Sequence, residues 1–286
     1  MSMMNNFYCL FNSDYSDSKK LEERIISIEN ACVRTEVRFV SIDESKYDFT
    51  ELPNVTPLDA IYNCSRGSLL LEQQMLRNNP RTVYRDLPIT AVSQDNHLWG
   101  IMIEQHGIAT PKTIWYCNSD RHCLQKYVNY LGGFPLVLKV HSGSSGVGVI
   151  FISDWKALFS NTEFLVANKI SFSLREYIAS TSCERLIVLN DQVIASCSRP
   201  IAQDDFRSDS NPLNCNEIKF DSKITKLAIE AAHAANLNFA GVDVIKDERN
   251  SKAYILEINC PFDVHACEKV LGSSFIDQFI SWITSK

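Results

Sequence analysis

No run of apolar residues in this 286-residue chain approaches the roughly 20 needed to cross a bilayer; the longest, around 136 to 140 and 147 to 152, fall far short. Met1 is not followed by a basic and apolar signal region, so no membrane association and a cytoplasmic location are expected. Positive charge is not in excess either. A net charge of −6 argues against nonspecific nucleic-acid binding. The ten cysteines, at 9, 32, 64, 117, 123, 183, 197, 215, 260 and 267, contain no CxxC pair. Scattered in this way, they point to reduced, mostly buried thiols in preference to a secreted disulfide framework.

Two common phosphate loops are also missing. The one glycine-rich segment, GSSGVG at 143 to 148, does not end in Gly-Lys-Ser/Thr and leads into the strand-like VIFI instead of a helix. A Walker loop and a dinucleotide fingerprint both open a helix, so neither fits. The Gly-x-Ser-x-Gly elbow of hydrolases fails because Val147 occupies its last glycine position.

At 45% hydrophobic and 22% charged, the chain can bury a substantial core and divides into two or three small lobes. Residues 1–92 read as an α/β lobe. NFYCLF is a strand, SDSKKLEERIISIENA from Ser16 to Ala31 a helix, EVRFVSI a second strand and DAIYNC a third. That alternation favours a parallel sheet. Arg66 follows the third strand, where open α/β sheets place ligand loops, which makes it an acceptor-side candidate, although a plain turn is the favoured reading. RDLPIT at 85 to 90 marks a lobe boundary.

Two distant stretches carry the chemistry. LVLKVHSGSSGVGVIFI at 136 to 152 reads as strand, glycine loop, strand: a hairpin flap ending its first strand near Lys139. Gly143, Ser144, Ser145, Gly146, Val147 and Gly148 can bring backbone N–H groups to phosphate oxygens, because glycine tolerates the conformations that aim them inward. An ordinary hairpin is the alternative. FAGVDVIKDERNSKAYILEIN at 239 to 259 reads as two strands around a polar turn, with Glu257 and Asn259 on one face, Leu256 and Ile258 on the other, and Asp243 on the neighbouring strand. Two buried carboxylates brought together need a cation. All-oxygen ligands suit Mg²⁺ or Mn²⁺; pairing with Arg or Lys is the alternative.

The order of these motifs resembles the ATP-grasp superfamily, and more narrowly its RimK-type carboxylate–amine ligases, which include enzymes that add glutamate to a ribosomal protein. The likeness covers roughly 95 to 286. It runs through GIATPKT at 107 to 113, the flap, REYI at 175 to 178, Arg185 before a strand, DDFRS at 204 to 208, AGVDVI, LEIN, and ACEKVLG at 266 to 272. It implies an α/β (α+β) ATP-grasp fold with an N-terminal parallel-sheet lobe, a central lobe at 93–172 carrying the flap, and a C-terminal lobe at 173–286 carrying the metal site.

The resemblance also implies roles. Lys139 would contact ATP phosphates under the 143 to 148 flap, Glu176 would lie by the adenine or ribose, and Asp243, Glu257 and Asn259 would hold two Mg²⁺ ions. Arg185 and Arg207 would face the acceptor carboxylate or the developing acyl phosphate, a task that suits a planar, permanently charged fork. A surface or structural ion pair is the alternative for both, and a strand-end lysine for Lys139.

Three departures stand out. Asp209, Ser210, Asn211 and Pro212 follow DFRS where relatives have Asn and a run ending in two glycines; Cys260, Pro261, Phe262 and Asp263 follow Asn259 where they have a small residue and Ser-Pro-Gly; and His97 lies nearest the place of an early lysine. Phe262 and Asp263 are therefore expected to reshape the acceptor pocket. His265 lies in the same altered segment, with a structural role favoured, as it is for His233; His141 beside the flap is a candidate phosphate neighbour.

The implied activity is ATP-dependent ligation, in which a carboxylate becomes an acyl phosphate that an amine of an amino acid, peptide or protein tail then displaces. A nucleotide-binding regulatory relative and a small-molecule phosphotransferase remain as alternatives. Relatives often form dimers or tetramers, which leaves a homo-oligomer open.

Overall fold

A computed structural model describes residues 6–14, 18–65, 67, 69–86, 96–141, 146–207, 216–217, 220–272 and 274–285. The first lobe contains β1 (Asn6–Phe11), α1 (Ser18–Arg34), β2 (Arg38–Asp43), β3 (Ala60–Asn63) and α2 (Leu69–Met75). Its sheet is parallel, in the order β2-β1-β3, with Phe7 opposite Phe39 and Ala60. Both faces are covered, as a parallel sheet requires. Tyr8, Leu10 and Ile61 pack with Leu71 and Met75 on one side, while Phe7, Cys9 and Tyr62 enter a larger core on the other.

That larger core belongs equally to the C-terminal part of the chain. Phe239 stacks on Phe279 with ring centres 3.9 Å apart and planes 7° apart, and Phe7 meets Phe279 edge-on at 6.2 Å. The expected 1–92 lobe is thus built into the C-terminal core along one face. The boundary at 92 lies outside the described residues.

α3 (Asn96–Gln105) is followed by β4 (Thr113–Ile114), α4 (Arg121–Leu131), β5 (Leu136–Val140), β6 (Val149–Ile152), α5 (Trp155–Ala167) and β7 (Phe172–Glu176). The four strands form a sheet in the order β4-β7-β5-β6 over a separate core of Leu124, Leu136, Leu138, Ile152, Phe172 and Leu174. α3 does not join this core: Trp99 and Ile103 pack into the C-terminal one. The central sheet also runs on through Glu176, past the expected boundary at 172.

The last lobe contains β8 (Ser182–Leu189), β9 (Gln192–Pro200), β10 (Asn216–Glu217), α6 (Ser222–Ala234), β11 (Phe239–Lys246), β12 (Ala253–Asn259), α7 (Val264–Leu271) and α8 (Ser274–Ser285). Its sheet is antiparallel, in the order β10-β9-β8-β11-β12. Aspartates cap α4, α5, α6 and α7: Asp120, Asp154, Asp221 and Asp263 accept from backbone N–H groups of the first turn. Ala228, Ala231 and Ala232 let α6 lie close on the sheet, and Phe275, Phe279 and Ile283 form the buried stripe of α8. No described helix is long and apolar enough to cross a membrane. Seven of the nine described cysteines are buried.

Glu72 is 2% exposed and accepts hydrogen bonds from Asn63 Nδ2 and Tyr84 OH, each at 2.9 Å. Burial pushes its carboxyl up to about 7 from the ordinary 4.5, in spite of those donors. A raised carboxyl means stability that is complete below the unfolded value and declines as pH rises through the folded one. Glu72→Gln keeps an acceptor for Asn63 and can donate to Tyr84. Between pH 5 and 8 the wild type should lose on the order of 2 kcal/mol relative to this variant. Thermal unfolding of both across that range checks this; parallel curves would contradict it.

Candidate functional site

The β11–β12 pair places Asp243 opposite Glu257 and Gly241 opposite Asn259. The register slips between Asp243 and Val244, so that Val244 opposes Ile255 and Leu256 becomes the extra residue of a bulge. Simple alternation, which put Leu256 and Ile258 on one face, is thereby corrected. Ile255 and Ile258 are the residues that enter the core, at 1% exposure each, and the bulge turns Glu257 and Asn259 toward Asp243.

Asp243 is 7% exposed and its carboxylate is fully engaged. Arg185 grips it with Nε and with Nη2, the latter at 2.8 Å; Arg199 Nη2 donates at 2.8 Å, and Asn259 Nδ2 at 3.3 Å. Burial alone would raise this carboxyl, but the two guanidinium groups outweigh it and hold it below the ordinary carboxylate range. Glu257 is treated similarly. Burial raises it most strongly, but the charge and hydrogen bond of Lys139 and the charge of Arg185 together outweigh burial and the opposing charge of Asp243, leaving it below its ordinary value. Lys139 Nζ donates to Glu257 Oε2 at 2.9 Å, joining the central sheet to the C-terminal one.

Arg199 escaped the sequence reading, although a signal was present. RLIVLNDQVIASCSR is a hairpin about Asn190–Asp191, and its register sets Arg185 opposite Cys197 and Arg199 opposite Cys183. Both arginines therefore leave the sheet on the face that carries Asp243. Gly241 makes room for one of them: a Cβ there would lie 3.1 Å from Arg185 Cδ.

A narrow space between the central sheet, α3 and β12 is lined by Lys139, Glu257, Arg175, Trp115, His97 and Leu256. His97 and His141 have ring centres 4.2 Å apart with planes tilted by 47°, and His141 Nε2 donates to the Trp115 carbonyl at 3.0 Å. At the other end of β7, Glu176 Oε1 accepts from Lys112 N at 2.7 Å.

β5 and β6 pair antiparallel, as expected of a flap hairpin. Gly146 and Gly148 both have φ of 79°, a left-handed conformation that glycine adopts without strain, and Val147 between them is 70% exposed. Gly143, Ser144 and Ser145 lie outside the described residues, as do Arg66 and 209–215. Arg207 reaches the flap: it pairs with Asp205 through Nη2 at 2.8 Å, and its Nη1 donates to Gly146 O at 3.1 Å. The structure thus joins Arg185 to the Asp243 cluster and Arg207 to the flap.

The altered segment after Asn259 behaves otherwise than expected. Phe262 is 3% exposed and packs on Phe239 at 5.0 Å, beneath Gly241, instead of lining the pocket. Asp263 caps α7, and His265 Nδ1 lies 2.8 Å from Ser27 Oγ on α1. His233 lies 3.0 Å from Asn190 O, a structural contact.

Among the described residues no three His, Cys, Asp or Glu side chains gather into a metal-ligand cluster. The candidate set is two carboxylates and one amide, all offering hard oxygens of the kind Mg²⁺ prefers. Asp243 and Glu257 are balanced here by Arg185, Arg199 and Lys139, the ion pairing that stood as the alternative to a metal.

The RimK-like ATP-grasp domain matches residues 94–283. The chain is 31% identical over 185 residues to the probable alpha-L-glutamate ligase 1 of Shewanella oneidensis, a match covering 64% of this chain and 60% of that one, so less than two thirds of the relative's length is spanned. Two solved structures share the fold. D-cycloserine synthetase DcsG superposes with a TM-score of 0.74 at 12% identity, covering 97% of this chain and 99% of that one. The ATP-grasp ligase PsnB, complexed with a phosphomimetic variant of its minimal precursor, Mg and ADP, gives 0.71 at 14%, covering 98% and 99%. With two thirds of its length matched by that domain, over the flap and the Asp243 cluster alike, the chain belongs to the RimK-like ATP-grasp family.

Proposed function

We propose that this protein is an ATP-dependent ligase that joins a carboxylate to an amine through an acyl phosphate. One observation carries the reading: Lys139, on the first strand of the flap hairpin, bonds Glu257, and Glu257 lies opposite Asp243, which Asn259, Arg185 and Arg199 surround. Three cations against two carboxylates leave net positive charge, which suits a triphosphate. Lys139 and the flap glycines would bind the phosphates, while Glu176 lies where the central lobe ends.

Asp243, Glu257 and Asn259 would hold Mg²⁺, and the ion would supply charge neutralisation at the phosphates. Lys139, now bonded to Glu257, would then turn to phosphate oxygen. Arg185 or Arg199, released in part from Asp243, would pair with the substrate carboxylate and stabilise charge as the phosphoryl group arrives. Phosphate leaves when an amine attacks. Arg207, by holding Gly146, would keep the flap closed and water away from the acyl phosphate. The glutamate ligase name of the Shewanella relative and the precursor peptide bound to PsnB support an amino acid or peptide as substrate.

A second reading, nucleotide binding without turnover, has one observation in its favour: both oxygens of Asp243 are taken by its own arginines and Asn259. Incubation with ATP, Mg²⁺ and pools of amino acids and peptides separates the two. Substrate-dependent release of ADP and phosphate, with an amide product seen by mass spectrometry, is expected; ATP binding with no turnover in any pool favours the second.

Glu257→Gln should lower turnover by at least about 100-fold, since even groups standing behind metal ligands are worth 10- to 100-fold; a fully active variant would sink the metal assignment. Lys139→Met should weaken ATP binding by about 10-fold or more, as measured by calorimetry. Asp243→Asn leaves Arg185 and Arg199 buried with no full counter-charge, and should cost on the order of 3 kcal/mol in denaturant unfolding. Replacing Arg199 by Gln in that background should recover part of the loss. An unchanged single variant would show that the pairing is not needed for the fold.

A further inference from the structure

Each mostly buried cation of the Asp243 cluster has a carboxylate: Arg185 and Arg199 share Asp243, and Lys139 takes Glu257. Arg175 does not. It lies on β7 opposite Val137, on the same face of the central sheet as Lys139, and lines the same narrow space. Among the described residues it makes no ion pair. Its Nε donates to Thr113 Oγ1 at 3.0 Å, its Nη1 donates to the Leu256 carbonyl at 2.9 Å, and its guanidinium lies 5.7 Å from the centre of the Trp115 ring. A charge held away from water at some cost, and spent on a main-chain carbonyl, calls for a reason.

The carbonyl is an unusual one. Leu256 is the extra residue of the β12 bulge, and the extra residue of a bulge stands outside the ladder. On its other side, Ile255 N donates to Ala109 O at 2.8 Å. The bulge is therefore tied twice to the segments leading into and out of the central sheet. Glu257 is the next residue. Without the bulge, the alternation of β12 would carry its side chain off the Asp243 face.

We propose that Arg175 is a positioning residue: by holding the Leu256 carbonyl it fixes the β12 bulge and so aims the Glu257 carboxylate at the metal-bound phosphates of a nucleotide. This rests on the nucleotide reading above. Arg175 need not touch the nucleotide, and its effect should be felt through Glu257 alone. Phosphate affinity that does not involve the metal should survive its loss.

The test is calorimetric titration of ADP, with and without Mg²⁺, into the wild type, Arg175→Met and Arg175→Lys. Arg175→Met should weaken Mg²⁺–ADP by about 10-fold, the scale seen for groups that orient metal ligands, and leave metal-free ADP within about two-fold. Arg175→Lys, which can still donate to Leu256, should recover most of the loss. If Arg175→Met does not fold, Thr113→Val, which removes the acceptor for Nε, should give a smaller loss in the same metal-selective sense. Wild-type affinity for Mg²⁺–ADP in the variant that folds would overturn the proposal. Equal losses with and without Mg²⁺ would overturn it too, by making Arg175 a direct phosphate contact. A wild type that binds no ADP at all would remove the nucleotide reading and this inference with it, whereas an unaffected variant of a binding wild type removes the inference alone.

Discussion

A carboxylate buried at the meeting of two lobes must be balanced by positive charge, and Asp243 is that carboxylate. Arg185 and Arg199 come to it from adjacent strands of one hairpin, Asn259 from the strand on its other side, and Gly241 leaves space for the arginine to lie down. Lys139 then answers Glu257 from the opposite lobe. The polar centre is tolerable because nearly every charge in it has an opposite charge or a hydrogen bond within reach. Its contents decide what the site can accept: phosphates and cations fit it, and an apolar ligand would strand charge.

Much of this was legible in the sequence because it rests on short-range rules. Strand alternation put Glu257 and Asn259 on one face, and the composition of GSSGVG specified a hairpin instead of a helix entry. Features that depend on register or on distant packing were not. The β12 bulge has no residue signature in YILEIN, so strict alternation misassigned Leu256. Arg199 required the pairing of β8 with β9 to be counted residue by residue. Phe262, which the sequence suggested for the acceptor pocket, faces Phe239 because the chain turns into the core directly after Asn259.

Lobe boundaries were the least legible, for a related reason. A boundary read from a loop says where the chain is polar, not which core a helix joins. α3 follows a polar loop and precedes the central sheet, yet Trp99 and Ile103 are buried with α6 and β12. The first lobe likewise shares Phe7 and Tyr62 with Phe279 of the last helix. Two of the three units thus share one core, and the central sheet has its own.

The Lys139–Glu257 bond spans the junction between the two cores. A phosphate bound at Lys139, as proposed, would have to displace Glu257 from it, so that occupation of the site would be an exchange of ions and not a simple addition. The free energy of binding is then a difference between two sets of charge contacts, and tight coordination of phosphate would appear as only moderate affinity. The internal bond also sets a floor on specificity, because a weakly charged ligand could not compete with the lysine already in place.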